Sequence, residues 1–127
     1  LHQIGAKKVS IICPYMKPLT QLVVDYIESE GIEVQDFMAL EIADNLEVAA
    51  QDPNAPAELW KKLDVNGVDA IIASACVQMP SLSSIEKIEK ASGLPTLSAA
   101  VATTRSILQT LKLNPVAPGG GALLAAR

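Results

Sequence analysis

Residues 8–38 read KVSIICPYMKPLTQLVVDYIESEGIEVQDFM, and the hydrophobic period changes twice within that stretch. Lys8 to Cys13 is solidly apolar at Val9, Ile11 and Ile12, which suits a strand covered on both faces, as in a parallel sheet. Pro14-Tyr15-Met16-Lys17-Pro18 breaks the run. From Leu19 the apolar residues recur at helical spacing: Leu19, Leu22, Val23, Tyr26 and Ile27 fall at i, i+3, i+4, i+7 and i+8. Gly31 ends that helix at the position where a left-handed residue is favoured. Ile32 to Met38 resumes as a strand, with Ile32 and Val34 alternating against Glu33 and Gln35. Strand, helix, strand in this order is a βαβ unit, which closes into a parallel sheet.

The rest of the chain repeats the alternation. A short helix is expected between Glu41 and Asp52, capped by Asp44 or Asn45, and a second from about Pro56 to Leu63. Val68 to Ala75 reads as the third strand, and Ser83 with Glu86 as a capping box for a helix ending at Gly93. Leu94 to Ser98 is the expected fourth strand and Ala100 to Leu113 the next helix. Gly119-Gly120-Gly121 reads as a turn into a last short helix. The fold class is therefore α/β: an open, parallel four-stranded sheet with helices on both faces, one Rossmann-like domain over residues 1–127.

Composition narrows the function. Half of the 127 residues are apolar and 19% are charged, enough to close one core. Ten Lys and Arg stand against fourteen Asp and Glu, and no basic cluster interrupts the chain, so no nucleic-acid partner is expected. No apolar run approaches the roughly 20 residues that span a bilayer, and no signal peptide is legible, so neither membrane association nor export is expected. Cys13 and Cys76 read as free thiols in a reducing compartment, which points to the cytoplasm. His2 is the only histidine and precedes the first strand, which removes most Ser-His and Cys-His pairs and multi-histidine metal sites.

Ligands of open parallel sheets sit at the carboxyl ends of the strands. Cys76 follows the third strand and leads towards a helix start, where backbone N–H groups favour a thiolate; the alternative is an inert, buried cysteine. Tyr15 offers a hydroxyl at the same edge, or packs on the sheet end. Asn45 either directs its amide into the cleft or caps a helix. Cys13 reads as a structural residue pointing into a layer that covers the sheet. Asp64 and Asp69 flank a turn, and Glu86, Lys87, Glu89 and Lys90 read as a solvated helix face.

Four segments together carry a resemblance: VSIICPYMKPLTQ (9–21), ADNLEV (43–48), SACVQMPSL (74–82) and the ending PGGGALL (118–124). In this order they resemble the maleate cis-trans isomerases of the aspartate/glutamate racemase superfamily. Members have two similar α/β halves related by a pseudo-two-fold axis, with one cysteine from each at a site between them. This chain resembles the second half, and Leu1 to Ala6 reads as the end of a helix, so the first half is expected to be absent from it.

By that resemblance Cys76 is the second-half catalytic cysteine, and Tyr15 and Asn45 bind substrate. Backbone N–H groups around Val77 and Gln78 join them as donors to the substrate carboxylates. The implied partner is a small dicarboxylate, maleate, converted to fumarate through a cysteine adduct with no cofactor and no metal. A homo-oligomer is also expected. The alternatives are a racemase or arylmalonate decarboxylase of the same superfamily, or an inactive half-domain used for assembly.

Overall fold

A computed structural model describes residues 1–74 and 81–126. Four parallel strands, β1 (Lys8–Cys13), β2 (Glu33–Ala39), β3 (Ala70–Ala73) and β4 (Thr96–Leu97), form one sheet in the order β2-β1-β3-β4. Among the described residues five helices accompany them: α1 (Lys17–Ser29), α2 (Asn45–Ala49), α3 (Ala55–Leu59), α4 (Leu82–Ser92) and α5 (Ala99–Thr110). Short 3-10 turns cover His2–Ile4, Trp60–Lys62 and Gly121–Leu124.

The expected sheet with helices on both faces is what forms. On one face Val9, Ile11 and Cys13 of β1 with Ala70 and Ile72 of β3 meet Val23 and Ile27 of α1, Val101 of α5 and Leu123 and Leu124 of the last turn. On the other, Ile71 and Ala73 meet Ile88 of α4, Ala57 of α3 and Trp60. β1 is central, and its residues from Val9 to Cys13 are all buried, as a two-faced apolar run requires. β2 is an edge strand, mostly half-buried, and a bulge between Val9 and Ser10 in its pairing with β1 shifts the register so that Ser10 pairs with Asp36.

Several boundaries and faces differ from the sequence reading. β3 is shorter than Val68 to Ala75, β4 shorter than Leu94 to Ser98, and β2 runs one residue later at each end than Ile32 to Met38. The long helix after β4 ends at Thr110 rather than Leu113, and the expected last helix is a 3-10 turn. The apolar stripe on α1 is wider than the face it buries: Thr20 and Val24 are buried, whereas Leu19, Leu22 and Tyr26 are 47%, 64% and 67% exposed. The Ser83–Glu86 capping box does not form. α4 begins at Leu82 after Ser81, so Ser83 already lies inside the helix and donates its hydroxyl to the Pro53 carbonyl at 3.2 Å, beside Ser84 at 2.5 Å.

Glu89 belongs less to solvent than expected. Its carboxylate accepts the N–H groups of Thr96 and Ala122, each at 2.9 Å, and so fastens the C-terminal turn to α4 and β4. Arg105, buried on α5, donates to Gln3 Oε1 at 2.9 Å and to the Leu123 carbonyl, drawing both chain ends onto the same face.

Candidate functional site

The strand order places the site. β1 connects outward to β2 on one side, and β3 connects outward to β4 on the other, so the connections diverge between β1 and β3. In open parallel sheets ligands bind outside the carboxyl ends of the strands at such a point. The chain leaving β1 passes through Pro14 and Tyr15, and the chain leaving β3 passes through Ser74 into residues 75–80. Cys76, Val77 and Gln78 lie outside the described residues.

The loop after β1 is tied to the loop after β2 by successive backbone bonds. Leu40 N–H donates to the Cys13 carbonyl (2.8 Å), Ile42 N–H to Pro14 (3.0 Å) and Glu41 N–H to Tyr15 (3.2 Å). The pairing is made possible by Glu41 at φ 56°, a left-handed conformation that costs a non-glycine residue about 1–2 kcal/mol. Tyr15 itself is half-buried, packed both on the main core and against Val48, on which Leu40 and Ile42 also pack. Val48 is the buried residue of α2, so the helix carrying Asn45 is seated directly against Tyr15.

At the start of α2 the two capping candidates separate. Asp44 is the N-cap: its side chain accepts the Leu46 N–H at 2.7 Å. Asn45 is the first helical residue, exposed, and its amide makes no hydrogen bond among the described residues. The amide is thus available to a ligand at the same edge as Tyr15. Lys17, at the start of α1, stands 3.8 Å from the Glu41 carboxylate, an exposed pair at the rim.

Beneath the loop lies Cys13, a free thiol, fully buried in the core as the sequence reading expected. Burial pushes its pKa up, opposed by the Ser74 and Thr20 hydroxyls that face the sulfur. That environment holds the neutral thiol and makes Cys13 a poor nucleophile. The carboxylates whose pKa values are shifted, Asp64 and Asp69, precede β3 and so belong to the opposite edge of the sheet. Asp69 accepts the Lys7 and Lys8 N–H groups there, at 2.7 and 3.0 Å.

Two cavities border α4. A cavity of about 230 Å³ lies between the starts of α4 and α5, lined by Ser81, Leu82, Ser98, Val101 and Thr104, where the described chain resumes after residue 80. A larger one of about 610 Å³ lies between α4 and the C-terminal segment, bordered by Glu86, Glu89 and Pro118, away from Tyr15 and Asn45.

Of the sequence candidates, Tyr15 and α2 with Asn45 are brought together, and Ser74 leads from β3 towards Cys76. Sequence reading gave no individual role to Thr20, Ser74 or Val48, which carry no chemical signature in one dimension. Nor did it give one to Glu41, whose left-handed backbone no residue pattern announces.

A family model described as arylmalonate decarboxylase matches residues 1–124. The maleate isomerase of Pseudomonas putida is 52% identical over 125 residues, covering 98% of this chain and 50% of the relative. Among solved structures, a cysteine-to-alanine variant of the maleate isomerase of Pseudomonas putida S16 with maleate superposes with a TM-score of 0.94 at 53% identity, covering 98% of this chain and 50% of that one. A cysteine-to-serine mutant of the Nocardia farcinica maleate cis-trans isomerase, with a covalently bound succinylcysteine intermediate, superposes with a TM-score of 0.92 at 43% identity, covering 98% and 51%. The chain spans about half the length of the curated relatives it matches. The resemblance read from the motifs is borne out at this level.

Proposed function

Because the chain belongs to the arylmalonate decarboxylase family, we propose that it is the second half of a cofactor-independent maleate cis-trans isomerase, working through a cysteine adduct. The observation that carries the proposal is the seating of Tyr15 on Val48 of α2, the helix that begins at Asn45, whose amide makes no hydrogen bond among the described residues, both on the side of the sheet where the strands end. The likeness to maleate isomerases supports the choice of substrate.

In this reading a thiolate adds to one olefinic carbon of maleate, and the π electrons move into the carboxylate on the neighbouring carbon. The former double bond is now single and rotates. Collapse of the enediolate expels the thiolate and leaves fumarate. Sulfur suits both steps, being a good nucleophile and a good leaving group. The adding thiolate comes from a cysteine outside this chain, and Cys76 is its acid/base partner, giving its proton to the enediolate carbon to form the succinyl adduct and taking it back before the thiolate leaves. In the Nocardia farcinica relative a succinylcysteine persists although a cysteine has been replaced by serine, which supports a division of labour between two cysteines.

The charge that develops on the carboxylate oxygens needs donors already in place. Tyr15 hydroxyl, the Asn45 amide and the N–H groups of Val77 and Gln78 supply them in this reading. A cytoplasmic location belongs to it as well, supported by the free thiol of Cys13. Among the described residues no helix is long and apolar enough to cross a membrane.

The test follows the ultraviolet absorbance of maleate, with the chain alone and joined to a first half of the kind its relatives carry. Conversion to fumarate that falls at least about a hundredfold in Cys76→Ala supports the assignment. Near-normal turnover by that variant removes it. Carbon dioxide release from an arylmalonate, with maleate untouched, would favour the decarboxylase that the family description names.

A further inference from the structure

Thr20 is fully buried in the first turn of α1, at a position where an apolar residue of the same shape would avoid the cost of burying a hydroxyl. Its hydroxyl donates to the Tyr15 carbonyl, a long bond at 3.4 Å, while its N–H donates to the Met16 carbonyl at 3.0 Å. The same Tyr15 carbonyl accepts the Glu41 N–H. One oxygen therefore ties α1 to the loop after β2. On its other side Thr20 faces the Cys13 sulfur, which the Ser74 hydroxyl also faces. Ser74 is buried, its N–H bonds the Ile12 carbonyl at 2.8 Å, and it is the last described residue before the segment that holds Cys76.

We infer that Thr20 is a positioning residue: its buried hydroxyl, set between the Tyr15 carbonyl and the Cys13–Ser74 contact, fixes the Tyr15 loop relative to the end of β3. The inference rests on the proposed reading of Tyr15 as a substrate-binding residue and adds to it the group that holds the phenol in place. Thr20 does not touch substrate. It acts through the Tyr15 backbone, so its loss misplaces the phenol without removing any donor from the proposed site.

The chain carries two tyrosines, and Tyr26 is exposed on the far part of α1, which makes it an internal reference. In protein labelled with ¹³C at the tyrosine ζ carbon, Tyr15→Phe assigns the two signals. Thr20→Val keeps the volume and removes the hydroxyl; it is expected to displace the Tyr15 signal and leave that of Tyr26 in place. Thr20→Ser is expected to restore the original Tyr15 position. In the maleate assay with both halves, Thr20→Val lowers kcat about tenfold with KM unchanged, and Thr20→Ser recovers it.

A Tyr15 signal unmoved in Thr20→Val, or moved equally by Thr20→Ser, overturns the inference. Should Thr20→Val fail to fold, Thr20→Ala is read in the same way. If the signals respond as expected while the unaltered protein never consumes maleate, the positioning role stands and the proposed activity falls.

Discussion

Asp44 accepts the Leu46 N–H through its side chain at 2.7 Å, and so caps α2 in place of its neighbour Asn45. Two adjacent polar residues thereby divide structure from chemistry. Asp44→Ala is expected to cost about 1 kcal/mol of stability, as loss of an N-cap does, read from the denaturant midpoint. Asn45→Ala leaves that midpoint unchanged and lowers maleate turnover about a hundredfold, as loss of a transition-state donor does. Equal losses of stability in both variants would show that Asn45 is a structural residue too.

The two cysteines are expected to differ in reactivity. Cys13 is fully buried and its thiol is held neutral, so iodoacetamide at pH 8 leaves it unmodified until the protein unfolds. Cys76, the acid/base group of the proposed reaction, is modified first, and maleate slows its modification. Peptide mass mapping over time separates the two. Early labelling of Cys13 would contradict its buried placement.

Acid and base are expected to destabilise the fold through different groups. Asp69 has its pKa lowered from the ordinary 3.8, first by the Lys7 backbone bond and then by that of Lys8. Asp64 is lowered as well, first by the Asn66 backbone bond and then by the Gln35 side chain. A carboxylate with a lowered folded pKa stabilises fully above its unfolded pKa, and that contribution is lost as pH falls through the folded value. Stability is thus level from neutrality to about pH 5 and declines below about pH 4, less steeply in Asp69→Asn.

Cys13 has the opposite sign. Burial raises its pKa above the ordinary 9.0, so the unfolded thiol ionises first, and stability declines as pH rises beyond that value. Cys13→Ala removes this alkaline decline. Denaturant titrations across pH 2 to 10 measure both limbs.

The glycine run is expected to be unequal in its demands. A Cβ at Gly121 would stand 2.6 Å from Ile85 Cγ2 and 2.7 Å from Glu89 Oε1, at φ +64°. Gly121→Ala therefore strains the backbone and displaces the carboxylate that fastens the last turn, at a cost of about 2–3 kcal/mol. Gly119 has φ +77° with open space around its Cβ position, so Gly119→Ala carries only the backbone cost, about 1 kcal/mol. Thermal melts of the two variants give the ranking, and a reversed order would show that the Glu89 contact is not formed.

How much of this was legible in one dimension follows from the kind of interaction involved. Val9 to Cys13 announced a two-faced strand because covering both faces demands an unbroken apolar run, and the bounds Lys8–Cys13 agree with that reading. The α1 stripe misled, because periodicity counts apolar residues without knowing which neighbours arrive; Leu22 fits the pattern and remains exposed. Ser83 and Glu86 had the spacing of a capping box, but a box needs the helix to begin at the serine. Contacts from Ser83 and Ser84 to the Pro53 carbonyl occupy that start instead.

The sequence by itself determined the α/β alternation and the motifs that carry the family likeness, because these depend on local period and on residue type. Only the tertiary structure decided that Val48 seats its helix on Tyr15, and that Thr20 and Ser74 meet around a buried Cys13. Those relations join residues from different elements, and no local pattern encodes them, because each depends on strand order and on which side chains the closing core excludes from water.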